Sequence, residues 1–291
     1  TVLMPAYNEG ENLTALLPDA LAFCRARGWR LLLVDDGSKD DTRVLCEALS
    51  GEPGFHFFRH KLNRGYGAAL KTAARHFDTE DCATMDADGQ HRLEDIERLF
   101  SLLRERDADL VVGSRKGLPP ASRLRGIGKF LIRAVARMMM KVPVHDLNSG
   151  MKVYRTALLQ QYLHLAPNTM SFSDIITLVF ISNRHLVLEH PISVMAREKG
   201  SSTIGMQTAF QTVMEILNIV ILFNPARIFF FFFLMCTAIG LCVGLPILFA
   251  GRGVTTGSLL GIFAGIVFFL LGLIAEQLSS IRKHLPRNGP E

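Results

Sequence analysis

The segment Asp86-Ala87-Asp88-Gly89-Gln90-His91 places two carboxylates and an amide directly after a short apolar run, Cys82–Met85. Oxygen ligands of this kind suit hard divalent cations such as Mg²⁺ and Mn²⁺. Side chains two residues apart in an extended segment point the same way, so we expect Asp86, Asp88 and Gln90 to converge on one ion. Such an ion keeps positions open for phosphate oxygens. A turn between a strand and a helix uses the same residue types, so the pattern alone leaves a purely structural role open.

Short apolar runs alternate with helical periodicities along residues 1–115, and these elements have to position the carboxylates. The predicted strands are Thr1–Met4, Arg30–Val34, Phe55–Phe58, Cys82–Met85 and Leu110–Val112. The predicted helices are Glu9–Arg27, Asp40–Leu49, Gly65–Phe77 and Leu93–Arg106. This alternation predicts an α/β fold with a mainly parallel sheet. In open sheets of this class, ligands bind beyond the carboxyl ends of the strands.

Polar clusters fall at those strand ends and continue along the chain. They are Pro5-Ala6-Tyr7-Asn8-Glu9, Val34-Asp35-Asp36-Gly37-Ser38, Asn63-Arg64-Gly65, Met85-Asp86-Ala87-Asp88-Gly89-Gln90-His91, Gly113-Ser114-Arg115 and Asn148-Ser149-Gly150. In this order they resemble glycosyltransferase family 2, and within it the polyprenyl-phosphate glycosyltransferases, the group that includes dolichyl-phosphate mannose synthase. The resemblance extends over almost the whole chain. It implies a Rossmann-like GT-A nucleotide-diphospho-sugar transferase domain.

The resemblance also implies a set of residues that bind the nucleotide-sugar. Pro5, Tyr7 and Glu9 match positions that hold the base and ribose, and Asp36, with Asp35 beside it, matches the carboxylate that hydrogen-bonds the base. The rest of the donor set is Gly65, Asp86, Arg197 and Lys199, the last two in a loop that closes over the diphosphate in the family. Plainer roles stay open: Pro5 shapes a turn, Glu9 favours a helix N-terminus, and Gly65 and Gly67 are turn glycines.

The metal site implied by the resemblance consists of Asp86, Asp88 and Gln90, with Asp88 and Gln90 as the stronger direct ligands. A Mg²⁺ or Mn²⁺ ion there would neutralise charge on the departing nucleoside diphosphate. For this reason Asp88 is also counted among the catalytic residues.

The acceptor side is expected to hold a lipid phosphate, whose oxygen is an oxyanion near neutral pH and attacks the sugar without a strong base. Arginine suits this task because its planar fork pairs with phosphate. Arg115 matches the family's acceptor-phosphate arginine and Arg125 a second one, with Arg123 as a rival; Arg115 and Arg125 complete the catalytic set. Lys129 stands where the family has a serine. Asp146, Asn148 and Ser149 would line the same pocket or form a turn.

The C-terminal part contains two apolar stretches, Ile228–Ala250 and Val254–Ala275. Each exceeds the ~20 residues that a helix needs to cross ~30 Å of hydrocarbon. Arg227 precedes the pair and several basic residues follow it, whereas only Arg252 lies between the spans, so the positive-inside rule predicts cytoplasmic flanks. A buried hairpin of a soluble protein is the alternative.

The predicted organisation has four parts. They are a GT-A catalytic domain at 1–203 with an amphipathic interfacial helix at about 127–142, a juxtamembrane interfacial helix at 204–225, a transmembrane hairpin at 226–280 and a basic cytoplasmic tail at 281–291. A net charge of +5 suits anionic lipid headgroups and an anionic substrate, and no nucleic-acid motif is evident. The five cysteines show no metal or disulfide spacing, which indicates core or membrane positions in a reducing compartment. Association of copies through the membrane helices is a further expectation.

These observations together predict a metal-dependent inverting glycosyltransferase of cell-wall or glycolipid biosynthesis. It would move one sugar from a UDP- or GDP-linked donor to a polyprenyl phosphate at the cytoplasmic membrane face. A processive polysaccharide synthase of the same fold would carry a Gln-x-x-Arg-Trp motif, but the single tryptophan is Trp29. A non-catalytic membrane adaptor on a transferase fold is the third alternative, against which the retained Asp36, Asp86 and Asp88 argue.

Overall fold

A computed structural model describes residues 1–115, 142–195, 223 and 225–284. These residues form two compact units, 1–115 with 142–195 and 223 with 225–284. The first unit is an α/β domain, and the second is a pair of long helices.

The first unit is built on a seven-stranded sheet. Its strands are β1 Val2–Ala6, β2 Leu31–Asp35, β3 Phe55–Arg59, β4 Asp81–Thr84, β5 Leu110–Ser114, β6 Lys152–Arg155 and β7 Val187–Pro191. The spatial order is β3-β2-β1-β4-β6-β5-β7. Strands β1, β2, β3 and β4 pair in parallel, as do β5 and β7, whereas β6 runs antiparallel between β4 and β5. The predicted mainly parallel sheet is confirmed.

The helices of this unit pack apolar faces on the sheet. They are α1 Gly10–Ala26, α2 Thr42–Ala48, α3 Tyr66–Arg75, α4 Leu93–Glu105, α5 Thr156–Tyr162 and α6 Phe172–Ser182. In α4, Ile96, Leu99 and Leu103 are buried at helical spacing and face the core. The five strands and four helices predicted between residues 1 and 115 are all present, within a few residues of their predicted ends.

Strand β6 decides what surrounds the candidate site. Its first residue, Lys152, is paired with Thr84 near the end of β4 and with Val112 of β5. Since β6 is antiparallel, the loop 146–150 that precedes it lies where its two neighbours end. We call this edge of the sheet, where the parallel strands end, the carboxyl edge.

The second unit consists of α7 Pro225–Phe249 and α8 Thr256–His284. Their apolar windows have mean hydropathies of 2.5 and 2.6 and are 6% and 17% buried, so most of this apolar surface is exposed. Both helices are long enough to cross a bilayer. They pack closely where a Cβ on Gly261 would lie 3.0 Å from the Cα of Gly240. The predicted pair of spans is therefore present as two exposed apolar helices.

Candidate functional site

The loop that follows β1 is tied to the loop that follows β2. Asn8 has a positive φ of 54°, its amide donates to Ser38 Oγ (2.9 Å), and its Oδ1 accepts from the amide of Lys39 (2.8 Å). The amide of Glu9 donates to Thr42 Oγ1 (3.0 Å). Pro5 is buried within β1, so its predicted alternative role in a turn is wrong. Tyr7 is 41% exposed at the carboxyl edge, where it is accessible to a ligand.

The carboxylate of Asp36 binds several groups of the loop that follows β3. It is buried and accepts the amides of Arg64 (Oδ1, 2.9 Å) and Gly65 (Oδ2, 2.7 Å). His60 Nδ1 lies 2.6 Å from Oδ1, and His60 Nε2 lies 2.8 Å from Thr72 Oγ1. Asp36 thus fixes the path of residues 60–65 beside the predicted nucleotide position. Its role as a ligand of the base stays a prediction.

Gly65 and Gly67 allow a close backbone approach, but the approaching backbone belongs to the protein. A Cβ on Gly65 would lie 2.4 Å from the carbonyl oxygen of Asn168, and one on Gly67 would lie 2.3 Å from that of Pro167. The amide of Ala68, in the first turn of α3, donates to the same Asn168 carbonyl (3.3 Å). These glycines therefore serve the packing of segment 167–168, and a donor contact at Gly65 stays a prediction.

The carboxylate segment that follows β4 is a turn and not an extended continuation of the strand. Gly89 has a φ of 72°, and Asp88 Oδ1 accepts the amide of Gln90 (3.1 Å). We expected strand alternation to make the side chains of Asp86, Asp88 and Gln90 converge. This reason was wrong, because the segment is not an extended strand. The turn keeps all three at the carboxyl edge.

Asp86 is held from two sides. Tyr66 Oη donates to its Oδ1 (2.9 Å), and His91 Nε2 lies 3.4 Å from its Oδ2. Burial by itself raises the pKa of Asp86. The contacts with His91 and Tyr66 and the charge of Arg115 outweigh this effect, so the pKa is lowered. The carboxylate is therefore ionised at neutral pH.

Gly150 packs directly against the carboxylate of Asp86. A Cβ at position 150 would lie 2.0 Å from Asp86 Oδ2, well inside van der Waals contact. The carbonyl of Gly150 accepts from Thr84 Oγ1 (2.8 Å), which fixes the loop against the end of β4. Glycine at this position is a condition for the placement of Asp86.

Arg115 lies at the end of β5 with its guanidinium clamped by the loop 146–150. Nε donates to Asp146 Oδ2 (2.6 Å), and Nη2 donates to Asp146 Oδ1 (2.8 Å) and Asn148 Oδ1 (2.9 Å). Partial burial works against its charge, but Asp146 outweighs this and raises the pKa of Arg115. Among the residues that the structure describes, no hydrogen bond of Nη1 is found.

Glu189 of β7 accepts hydrogen bonds from the backbone at the start of the same loop. Its Oε1 accepts the amides of His145 (2.8 Å) and Asp146 (3.0 Å). Burial by itself raises the pKa of Glu189, but hydrogen bonds from Ser114 and His145 prevail and lower it. The loop that holds Arg115 is therefore itself held by a second carboxylate, that of Glu189, which is ionised.

Four residues of this site were not predicted from the sequence: Tyr66, His91, Gly150 and Lys152 as contacts of the carboxylate turn and the loop. The available signal for Lys152 was a lysine inside the apolar run Met151–Tyr154. His91 and Gly150 lie within quoted motifs and Tyr66 directly follows one, but their contacts join distant parts of the chain. The predicted site residues Arg125, Lys129, Arg197 and Lys199 lie outside the described residues, as do the interfacial helices predicted at about 127–142 and 204–225, apart from Val142, Phe223 and Pro225.

The chemistry of the described donors fits a hard divalent cation. Asp88 and Gln90 offer oxygen atoms on one turn, with the ionised Asp86 beside them. No group of three or more histidine, cysteine, aspartate or glutamate side chains in the described part of the chain is arranged to enclose a metal alone. Such a site would depend on ligand phosphates for the rest of its coordination.

Two family models match the chain. The model for glycosyl transferase family 2 matches residues 1–163, and the model for the GtrB C-terminal hairpin matches residues 224–281. Among curated proteins, the dodecaprenyl-phosphate galacturonate synthase of Rhizobium johnstonii is 26% identical over 296 residues, which is 96% of this chain and 87% of that protein. The undecaprenyl-phosphate 4-deoxy-4-formamido-L-arabinose transferase of Pectobacterium carotovorum is 28% identical over 295 residues, 97% and 88% of the two chains.

Solved structures share the fold. The glucosyl-3-phosphoglycerate synthase of Mycobacterium tuberculosis, in complex with Mn²⁺, UDP and phosphoglyceric acid, has a TM-score of 0.59 at 17% identity and covers 75% of this chain and 76% of its own. Its complex with Mn²⁺, UDP-glucose and phosphoglyceric acid gives a TM-score of 0.56, also at 17% identity, over 75% and 78% of the two chains. The likeness confirms the predicted GT-A fold of the first unit.

Proposed function

The chain belongs to glycosyltransferase family 2, and we propose that it moves one sugar from a nucleotide-sugar to a polyprenyl phosphate at the cytoplasmic face of a membrane. The observation that carries the proposal is the meeting of two groups at the carboxyl edge: a turn of oxygen ligands, and an arginine that Asp146 holds through Nε and Nη2. The relatives named above, which match almost the whole chain, are transferases that act on polyprenyl phosphates.

The donor would lie along the ends of β1, β2 and β4. Tyr7 and Glu9 would face the base and ribose, with the buried Asp36 holding the loop beside them. Pro5 and Gly65 would border this position through their backbone, and Arg197 and Lys199 would approach the diphosphate. The mycobacterial neighbour of the same fold was solved with UDP and with UDP-glucose, which supports a nucleotide-sugar as the donor. Both UDP- and GDP-linked donors belong to the proposal.

Asp88 and Gln90 would hold a Mg²⁺ or Mn²⁺ ion, with Asp86 as a third oxygen ligand or as their ionised neighbour. When bound, the ion supplies Lewis-acid neutralisation of charge on the nucleoside diphosphate. The protein's own part is to keep the turn in place through Tyr66 and His91, which hold Asp86.

The acceptor phosphate would be bound by Arg115 together with Arg125 and Lys129. Asp146 and Asn148 hold the guanidinium of Arg115 through Nη2, and Nη1 would contact the phosphate. A phosphate oxygen of the lipid would attack C1 of the sugar as the bond from C1 to the nucleoside diphosphate breaks. One such displacement inverts the anomeric centre, and it requires alignment of the two substrates more than a strong base.

The apolar hairpin of α7 and α8 supports a membrane location, where a polyprenyl acceptor is found. The basic residues that flank it favour a cytoplasmic catalytic domain, because positively charged flanks stay on that side. Nucleotide-sugars made in the cytosol would then reach the site directly. The processive synthase and the non-catalytic adaptor are not favoured by the relatives.

The direct test is transfer of a radiolabelled sugar by the purified full chain in detergent or vesicles. A panel of UDP- and GDP-sugars would be combined with undecaprenyl or dolichyl phosphate and Mg²⁺ or Mn²⁺. We expect one labelled lipid that carries a single sugar and is released by mild acid. A polymer would indicate the processive alternative, and no product with any donor would refute the proposal.

A further inference from the structure

Lys152 is a buried cation directly beneath the loop that clamps Arg115. Its side chain is 0% exposed, and its Nζ donates to three oxygens: the carbonyls of Leu147 (2.7 Å) and Ser173 (2.6 Å), and Thr177 Oγ1 (2.8 Å). An ammonium group has three donors, so all of them are used. The lysine therefore ties β6, α6 and the loop 146–150 at one point.

The three partners demand the charged form. Two of them are carbonyl oxygens, which only accept, and the hydroxyl of Thr177 already donates its proton to the carbonyl of Ser173 (2.8 Å). A neutral amine has two donors and a lone pair, so one contact would become a repulsion between the lone pair and an oxygen. Loss of the proton from Lys152 would therefore release part of the loop.

The same loop carries the parts of the site already described. Asp146 and Asn148 orient Arg115, and Gly150 stands against Asp86. The side chain of Ser173 adds a second tie, since its Oγ donates to the carbonyl of Ser149 (3.1 Å). We propose that Lys152 is a positioning residue, whose protonated amine holds the loop 146–150 so that the acceptor arginine and the carboxylate turn keep their alignment. This inference rests on the proposed function.

Burial and the surrounding charges shift the pKa of Lys152 in opposite directions. Burial lowers its pKa to about 7. The carboxylates of Asp174 on α6, Asp146 in the loop and Asp86 after β4 act in the opposite direction. Arg115 after β5 adds to the lowering. Lys152 is thus expected to lose its proton near pH 7, while the protein is folded.

The effect on stability has the opposite sign to the effect on activity. The unfolded lysine keeps its proton up to the ordinary value of 10.5, whereas the folded one releases it near 7. In this range the unfolded chain binds more protons, so the contribution of Lys152 to the free energy of unfolding rises with pH. As the pH rises, activity that depends on the protonated Lys152 would therefore fall. The contribution of Lys152 to the free energy of unfolding would not fall with it.

The experiment is a pH profile of kcat and KM for both substrates between pH 5.5 and 9.5, with thermal unfolding followed in parallel. The acceptor's second phosphate ionisation, with a pKa of about 6, gives a rising acid limb. We expect an alkaline limb with a midpoint near 7 in the wild type. The variant Lys152→Met should lose roughly tenfold to a hundredfold in kcat, as a displaced site does, and should lack the alkaline limb.

Thr177→Val is the milder variant of nearly equal shape, and it decides the matter if Lys152→Met does not fold. Without this acceptor the charged amine is less favoured, so the alkaline limb should move to lower pH. An unmoved limb, or a limb that coincides with unfolding, would overturn the role of Lys152. Failure of the wild type to transfer sugar at every pH would instead refute the proposed function.

Discussion

Replacement of Arg115 by lysine tests the acceptor site most directly. The change keeps one positive charge but removes the planar fork that donates to Asp146 Oδ2 (2.6 Å) and Oδ1 (2.8 Å). A lysine can keep one of these two bonds, and its ammonium is no longer oriented toward a second anion. We therefore expect the alignment of the lipid phosphate, and not the binding of the nucleotide-sugar, to suffer.

The size of the effect follows from the bond that is lost. A hydrogen bond to a charged group contributes roughly 1.5–3 kcal/mol, and each ~1.4 kcal/mol of transition-state binding is about a factor of ten in rate. The side chain of Arg115 is 30% exposed, so solvent screening favours the lower end of that range. The expected loss is about tenfold in kcat/KM for the lipid phosphate.

A matched control is Arg104→Lys. Arg104 makes a comparable fork, with Nη1 and Nη2 on the two carboxylate oxygens of Glu80 (3.0 and 2.8 Å), just before β4 and thus at the opposite end of the strands. Radiolabel transfer at varied lipid phosphate gives kcat/KM, and calorimetric titration with the nucleoside diphosphate gives donor affinity. If Arg104→Lys slows transfer as much as Arg115→Lys, or if Arg115→Lys weakens donor binding equally, the assignment of Arg115 to the acceptor is refuted.

Three further changes address the metal, the loop and the membrane hairpin. Asp88→Ala should abolish transfer with the fold retained, because it removes an oxygen ligand, and EDTA should do the same to the wild type; full activity in chelator, measured by label transfer, would remove the metal from the reaction. Gly150→Ala should overlap the first aspartate of the turn, lower the melting temperature through ~1–3 kcal/mol of overpacking and slow transfer at least about tenfold. Gly51→Ala, whose Cβ would meet nothing within 4 Å, is its control and should change neither quantity. In intact cells, a cysteine at Thr255 in a cysteine-free background should react with an impermeant maleimide and one at Ser280 should not; the reverse labelling would contradict a cytoplasmic site.

The sheet could be predicted where local patterning is strong. Each strand up to β5 is a short apolar run followed by polar residues, and each helix between them has its own apolar face, so sequence alone gave their order. Strand β6 was missed because it carries a charge at each end, and one of these charges, Lys152, is nevertheless fully buried. A buried lysine is favourable only with three oxygen partners, and those partners come from two other segments.

The site was predicted as a set of motifs but not as a set of contacts. The convergence of Asp86, Asp88 and Gln90 was expected from strand alternation, whereas the segment is a turn that local sequence favours equally well. The carbonyl of Asn168, more than a hundred residues away in the sequence, lies against Gly65, and no local pattern indicates this contact. Close contacts between distant segments leave no periodic signal, so only the folded chain reveals them.

The loop 146–150 explains why residues of such different chemistry are needed together. Asp146 holds Arg115, the proposed acceptor residue, and Gly150 leaves room for Asp86 on the proposed donor side. The carbonyl of Leu147 between them accepts from the ammonium of Lys152. Because these contacts lie within five consecutive residues, we expect the proposed acceptor and donor halves of the site not to shift independently. A displacement that starts at one end reaches the other through a stretch of backbone held by β6 and α6. In the proposed reaction, the alignment of the two substrates would therefore depend on this one short loop and on Lys152 beneath it.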